Sequence, residues 1–231
     1  MAGAVATKAA TGVEAGTPLV VTEDVGDQWV SRGAHKLIGA LDSFGVDPRG
    51  RRCLDAGAST GGFTEVLLRR GAAHVVAVDV GYGLIAWSLR TDERVTVVER
   101  VNARNLEPAQ VGDRVDLVVA DLSFIPLGLV LPALVRCVMP DADLLPMVKP
   151  QFEVGKDALP PGGVVRDPVV RAAAVRQVAG QAWELGLGVL GVVASPLPGP
   201  AGNVEYFLHL RRGGPPLDED VLLRAVTEGP T

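Results

Sequence analysis

The chain of 231 residues contains two cysteines, three histidines and 4% aromatic residues, and each shortage excludes a class of protein. Cys53 and Cys137 both stand in apolar stretches, which indicates buried reduced thiols rather than a disulfide framework. We therefore expect a reducing, cytoplasmic location. The histidines do not have the spacing of metal ligands, so no metal site is predicted; they are His35, His74 and His209.

The chain also lacks a long uninterrupted apolar run. Its most apolar stretch, Val115 to Met139, is broken by two aspartates and two prolines, which argues against a membrane span. The first residues show no charged start followed by an apolar segment and a cleavage site, so no signal peptide is expected. Apolar content of 48% and charged content of 21% are instead typical of one globular domain with a short extension.

Positive charge is scarce, since the net charge is −5, whereas enzymes that act on nucleic acids usually carry a basic face. Basic residues do cluster locally, and they could be ordinary surface charge or contacts to phosphates. The clusters are Arg49, Arg51 and Arg52; Arg69 and Arg70; and Arg211 and Arg212.

The most informative stretch is CLDAGASTGGF, residues 53–63, where an apolar strand pattern enters a glycine-rich turn. Glycines at 57, 61 and 62 have no Cβ, so the backbone can turn sharply and a ligand can approach closely. About twenty residues later a second strand pattern ends at Asp79, where an acid would bind ribose hydroxyls. This combination predicts a nucleotide-type cofactor at the first turn of a doubly wound sheet.

The turn departs from the G-x-G-x-x-G pattern of dinucleotide-binding folds. Asp55 at its start would repel a pyrophosphate, but it could hold a cationic amino-acid end. S-adenosylmethionine has such an end and no phosphate, so it is the predicted cofactor, and an NAD-dependent dehydrogenase is disfavoured. The alternative is a tight strand–helix turn that binds nothing.

Strand and helix patterns alternate after Cys53, which predicts an α/β protein with a Rossmann-like, doubly wound parallel sheet of seven strands. The predicted strands are Cys53–Ala56, His74–Val78, Val95–Val98, Val115–Ala120, Asp143–Val148, Gly188–Ala194 and Val204–Leu210, with one more short strand within 17–22. The predicted helices are Ser31–Phe44, Gly62–Arg70, Leu84–Arg90, Leu127–Cys137, Pro168–Leu185 and Asp218–Val226. The Gly/Pro-rich segment 155–167 is predicted to be a substrate loop.

Further polar residues stand at predicted strand ends, where open α/β sheets bind ligands. Asp121 ends the fourth strand, although it could be a helix N-cap, and Lys149 ends the fifth, held extended by Pro150. Glu205 lies among apolar residues near the start of the last strand and needs a cationic partner. Lys36 borders the apolar stripe of the first helix, where a lysine is ordinarily solvated.

Six long motifs resemble the TlyA group of 2′-O-ribose RNA methyltransferases, relatives of FtsJ that were formerly labelled haemolysins. They are WVSRGAHKL (29–37), CLDAGASTGGFTEVLL (53–68), VDVGYG (78–83), VADLSFI (119–125), VKPQFEVGK (148–156) and SPLPGPAGNVEYFL (195–208). The resemblance implies a catalytic Lys-Asp-Lys-Glu tetrad at Lys36, Asp121, Lys149 and Glu205. Lys149 would act as the base, while the other three would orient it, the ribose or a phosphate.

The resemblance also implies S-adenosylmethionine as cofactor and ribosomal RNA in ribosomal subunits as substrate, with cytidine as the target. The expected cofactor-binding residues are Asp55, Gly57, Ser59, Thr60, Gly61, Gly62, Phe63, Asp79, Asn102 and Asp121.

Three segments are predicted: 1–26, a remnant of the group's N-terminal RNA-binding module; 27–213, the FtsJ-like methyltransferase domain; and 214–231, a tail with a short helix. A monomer that does not bind membranes is expected. A small-molecule O-methyltransferase and a membrane-active protein remain as alternatives.

Overall fold

The computed structural model describes residues 29–155 and 159–229. The predicted segment 1–26, the predicted strand within 17–22 and part of the predicted loop 155–167 lie outside these ranges.

Seven strands form one sheet in the described residues, and eight α-helices and two short 3₁₀ helices surround it. The strands are β1 Arg52–Ala56, β2 His74–Val78, β3 Val95–Val98, β4 Val115–Ala120, β5 Val138–Val148, β6 Leu187–Ala194 and β7 Tyr206–Arg212, in the order β3-β2-β1-β4-β5-β7-β6. The helices are α1 Gly33–Phe44, α2 Gly62–Arg69, α3 Trp87–Arg90, α4 Pro108–Val111, α5 Leu131–Arg136, α6 Pro150–Glu153, α7 Pro168–Glu184 and α8 Glu219–Glu228, with 3₁₀ helices at Ala103–Asn105 and Leu127–Leu129. The predicted seven-stranded α/β class is confirmed.

The predicted parallel pairing holds for β1 to β5, whereas β7 runs antiparallel to both of its neighbours, β5 and β6. The connection between β6 and β7 contains no helix, and it is closed by a backbone hydrogen bond from Ser195 N to Glu205 O of 2.8 Å. A connection without a crossover helix joins antiparallel strands. As a result, the start of β7 lies beside the end of β5, with Tyr206 paired to Val148.

Two helix predictions differ from the structure. The helix predicted over Leu127–Cys137 is split into a 3₁₀ helix and α5, with a proline in the first turn of α5. Proline has no N–H to donate and is tolerated only at the first turn of a helix, so the break precedes it. The helix predicted from Leu84 begins only at Trp87.

Both faces of the sheet are covered, as expected of a doubly wound fold. The first three helices pack on one face, and α4, α5, α7 and α8 cover the other. The predicted C-terminal tail is part of this core, because α8 buries Leu222, Ala225 and Val226 in it. Cys53 and Cys137 are free and buried, as predicted, and burial raises the pKa of the Cys53 thiol to about 12.

Candidate active site

Two adjoining cavities of about 610 and 730 Å³ open at the carboxyl ends of the parallel strands. They share four lining residues, Gly57, Ser59, Asp121 and Ser123. Eight of the ten predicted cofactor-binding residues line one or both: Gly57, Ser59, Thr60, Gly62, Phe63, Asp79, Asn102 and Asp121. The structure therefore brings most of the predicted cofactor-binding residues to one cleft.

The glycine-rich turn passes very close to the end of β4. Gly57 has a φ of +87°, and a Cβ at this position would lie 2.5 Å from the carbonyl oxygen of Asp121. Only glycine fits both the backbone conformation and the available space. The turn thus brings the start of α2 and the polar end of β4 to one cleft.

Asp79 holds this turn from the end of β2. Its Oδ2 accepts a hydrogen bond from Ser59 N at 2.8 Å, and its Oδ1 accepts one from Gly81 N at 2.7 Å. Two backbone N–H donors fix the orientation of the carboxylate on the wall of the 610 Å³ cavity, which Asn102 also lines. A fixed, half-buried carboxylate with free lone pairs is suited to binding vicinal hydroxyls.

Asp55 and Gly61 are not on the wall of either cavity. Asp55 is completely buried, and its Oδ2 accepts a hydrogen bond from Thr64 Oγ1 at 2.7 Å, which ties β1 to α2. Burial raises the pKa of Asp55 to about 7, and the negative charge of Asp121 adds to this effect. In this geometry Asp55 supports the turn from beneath, and its direct contact with a cationic ligand stays a prediction.

The four residues of the predicted tetrad lie together at the same edge. Lys36 Nζ is 2.6 Å from Glu205 Oε2, and Lys149 Nζ is 2.6 Å from Asp121 Oδ1 and 4.0 Å from Glu205 Oε1. Glu205 reaches this edge because β7 is antiparallel and begins where β4 and β5 end. Lys149 has extended φ and ψ of −111° and 101°, followed directly by Pro150 at the start of α6.

The burial of this cluster explains its composition. Lys36 and Lys149 are each 8% exposed and Glu205 is 1% exposed, so the charges must neutralise one another. Two lysines and two carboxylates achieve that balance. The interpretation of Lys36 as a solvated lysine is wrong, and Asp121 pairs with Lys149 instead of capping a helix.

Sequence reasoning missed Ser123 and a third cavity. Ser123 Oγ accepts a hydrogen bond from Lys149 Nζ at 3.0 Å, so it helps to orient the amine. The third cavity, of about 680 Å³, lies on the other side of Lys149, and its lining includes Phe124, Gln151, Phe152, Asn203 and Glu205. Ser123 and Phe124 follow Asp121 closely in the sequence, and Gln151 and Phe152 follow Lys149. Their closeness to these two predicted site residues was the sequence signal that could have pointed to them.

The arginine clusters are mostly engaged in the fold. Arg51 Nη1 and Arg211 Nη2 lie 2.7 and 2.6 Å from the carboxylate of buried Asp143, which also contacts His209. Burial alone would raise the pKa of the Asp143 carboxyl, but hydrogen bonds with His209, Arg51 and Arg211 hold it well below its usual range. Asp143 pairs with Leu117 near the start of β4, away from the cleft, so Arg51 and Arg211 stabilise the sheet there.

A family comparison covers the part of the chain that forms the cleft. The profile of FtsJ-like methyltransferases matches residues 29–212, a range that contains every lining residue of the 610 and 730 Å³ cavities. The chain belongs to the FtsJ-like methyltransferase family. The resemblance predicted from the six motifs is thereby confirmed.

Within this family the chain is similar to the 16S/23S rRNA (cytidine-2′-O)-methyltransferase TlyA of Mycobacterium tuberculosis, with 63% identity over 99% of this chain and 87% of that protein. Among solved structures it is similar to a protein of Lactococcus lactis provisionally named a hemolysin, with a TM-score of 0.82, 40% identity, and coverage of 87% of this chain and 97% of the other. An S-adenosylmethionine-dependent methyltransferase of Mesorhizobium loti shares the fold, with a TM-score of 0.56, 15% identity, and coverage of 77% and 98%.

No group of three or more histidine, cysteine, aspartate or glutamate side chains in ranges 29–155 and 159–229 could hold a metal ion. None of the helices in those ranges is long and apolar enough to cross a bilayer.

Proposed function

We propose that this FtsJ-like methyltransferase transfers a methyl group from S-adenosylmethionine to the 2′-hydroxyl of a cytidine in ribosomal RNA. We call the 610 and 730 Å³ cavities the cofactor-side cavities. The observation that carries the proposal is the buried Lys-Asp-Lys-Glu cluster at the boundary between them and the third cavity. The substrate named for the similar Mycobacterium tuberculosis protein supports the choice of RNA. A ribosomal substrate would place the protein in the cytoplasm.

The cofactor-side cavities fit S-adenosylmethionine. The glycine at position 57 leaves room where a side chain would fill the cleft, and Asp79 presents a fixed carboxylate for the ribose hydroxyls. Asn102 lines the same cavity and would face the adenine. Ser59, Thr60 and Phe63 line the 730 Å³ cavity and would surround the amino-acid end. When bound, the cofactor supplies a methyl group on a positively charged sulfur.

The tetrad supplies what the poorly nucleophilic hydroxyl lacks. Lys149 in its neutral form would accept the hydroxyl proton at Nζ, and Asp121 and Glu205 would stabilise the resulting ammonium. The short contact between Lys36 and Glu205 fixes Lys36, so that it can position the ribose or an adjacent phosphate. Holding the oxygen in line with the methyl carbon would supply a further part of the rate.

The test is the transfer of labelled methyl from S-adenosylmethionine to purified ribosomal subunits that lack the modification. We expect incorporation into RNA by the wild type and none by Lys149→Ala, whose cofactor dissociation constant should stay within about threefold of wild type. An active Lys149→Ala variant would contradict the role of Lys149. Transfer to small metabolites but not to RNA would favour a small-molecule O-methyltransferase.

RNA binding itself should depend on salt, because contacts to phosphates release counterions. The dissociation constant for the ribosomal subunit should therefore rise steeply between low and moderate salt. Binding that does not change with salt would count against an RNA substrate.

A further inference from the structure

The third cavity lies on the acceptor side of Lys149, and we call it the acceptor cavity. It shares Lys149 and Ser123 with the 730 Å³ cavity, and Glu205 forms part of its wall. The cofactor-side residues Gly57 and Asp79 do not line it. A nucleotide whose 2′-hydroxyl reaches Lys149 from this side would place its base in the acceptor cavity.

The walls of the acceptor cavity are largely apolar and aromatic. The rings of Phe124 and Phe152 lie with centroids 5.1 Å apart and planes tilted by 48°, and both line the cavity. Aromatic faces bind unstacked bases regardless of sequence, so these rings give affinity without distinguishing one base from another. Discrimination requires a polar group that faces the edge of the base.

Two carboxamide side chains line the cavity, and they differ in their hydrogen bonding. Asn203 uses both ends of its amide within the fold: Oδ1 accepts from Val165 N at 2.9 Å, and Nδ2 donates to Gly163 O at 2.9 Å. Gln151 Oε1 is buried and accepts no hydrogen bond from any described residue. Buried acceptors in native proteins are nearly always paired, and Gln151 lines the acceptor cavity, so a base bound there would supply the partner that this oxygen lacks.

We propose that Gln151 is the residue that reads the target base, an inference that rests on the proposed function. In cytosine, the exocyclic N4 amine would donate to Gln151 Oε1 while Nε2 donates to ring N3. Uracil presents the reverse pattern, a carbonyl beside an N–H, and does not match this orientation of the amide. Gln151 is separated from Lys149 only by Pro150, so one rigid segment positions both base recognition and the reactive amine.

The test replaces Gln151 with leucine, which has a similar size and no hydrogen-bonding group. With ribosomal subunits as substrate, Q151L should lower kcat/KM about 10- to 100-fold, the effect of losing one bidentate base contact. The dissociation constant for S-adenosylmethionine should not change. On subunits whose target cytidine is replaced by uridine, Q151L should lose most of the wild-type preference for cytidine.

Gln181 offers a matched control, because its Oε1 is also buried without a hydrogen bond to a described residue, yet it lies on α7 outside the acceptor cavity. Q181L should retain wild-type kcat/KM and preference. The preference is a ratio measured within one variant, so partial misfolding does not affect it. A cytidine-to-uridine preference that Q151L leaves intact overturns this inference, whereas a wild type that methylates no RNA overturns the proposed function instead.

Discussion

Glu205 is the residue whose replacement should most affect the stability of the cluster. Its side chain is 1% exposed, and it holds Lys36 at 2.6 Å and Lys149 at 4.0 Å. Glu205→Gln keeps the shape but leaves Lys36 as a buried cation without its carboxylate. Removing one partner of a buried ion pair costs about 3–5 kcal/mol, which in a domain of this size lowers Tm by roughly 6–20 °C.

A double-mutant cycle shows whether that loss arises from the pair. Lys36→Met and Glu205→Leu should each destabilise the protein when measured alone by urea unfolding. The combined variant should recover most of the loss, because an apolar pair of similar volume needs no charge compensation. Losses that add within about 0.5 kcal/mol would refute the reasoning, since they would show that the two side chains do not interact.

Two further predictions concern the other acids of the cleft. Asp79→Ala should raise the S-adenosylmethionine dissociation constant at least about tenfold in an equilibrium titration. Asp141→Ala, which replaces an exposed acid on β5, is the control and should leave the constant unchanged. Equal constants for the two variants would contradict the ribose contact. Asp55 has its pKa raised to about 7, so between about pH 4 and 7 the folded state binds a proton that the unfolded state releases. Its contribution to stability should fall as pH rises through that window, by up to about 1.4 kcal/mol per pH unit. The free energy of unfolding should be measured with urea at pH 5 and pH 8 for wild type and for Asp55→Asn. The stability of wild type relative to Asp55→Asn should be higher at pH 5 than at pH 8, and identical pH dependences of the two proteins would rule out the buried proton.

The residues of the candidate site differ in how far the local sequence pattern could predict their positions. Lys149 follows an apolar strand and precedes a proline, so its position at a strand end could be predicted without any tertiary information. Lys36 could not be predicted in the same way, because its partner Glu205 lies 169 residues away. Only the family resemblance singled out Lys36.

The orientation of β7 was missed because the residues of a buried strand look the same in either direction. Val204–Leu210 was predicted as a strand, and β7 occupies Tyr206–Arg212. The usable signal was the preceding segment SPLPGPAGN, which is too rich in glycine and proline for the helix that a parallel crossover requires. Gln151 was overlooked because a free amide oxygen is a property of packing.

The position of β7 also determines when the buried cluster can form during synthesis. Among the strands within 29–155 and 159–229, β7 comes last in the sequence, yet it lies between β5 and β6 and is the partner with which β6 pairs. Until residues 205–212 have left the ribosome, Glu205 cannot pair with Lys36 and β7 cannot pair with β6. A nascent chain can form the glycine-rich turn early, but the buried Lys-Asp-Lys-Glu cluster can form only after residue 205 has emerged.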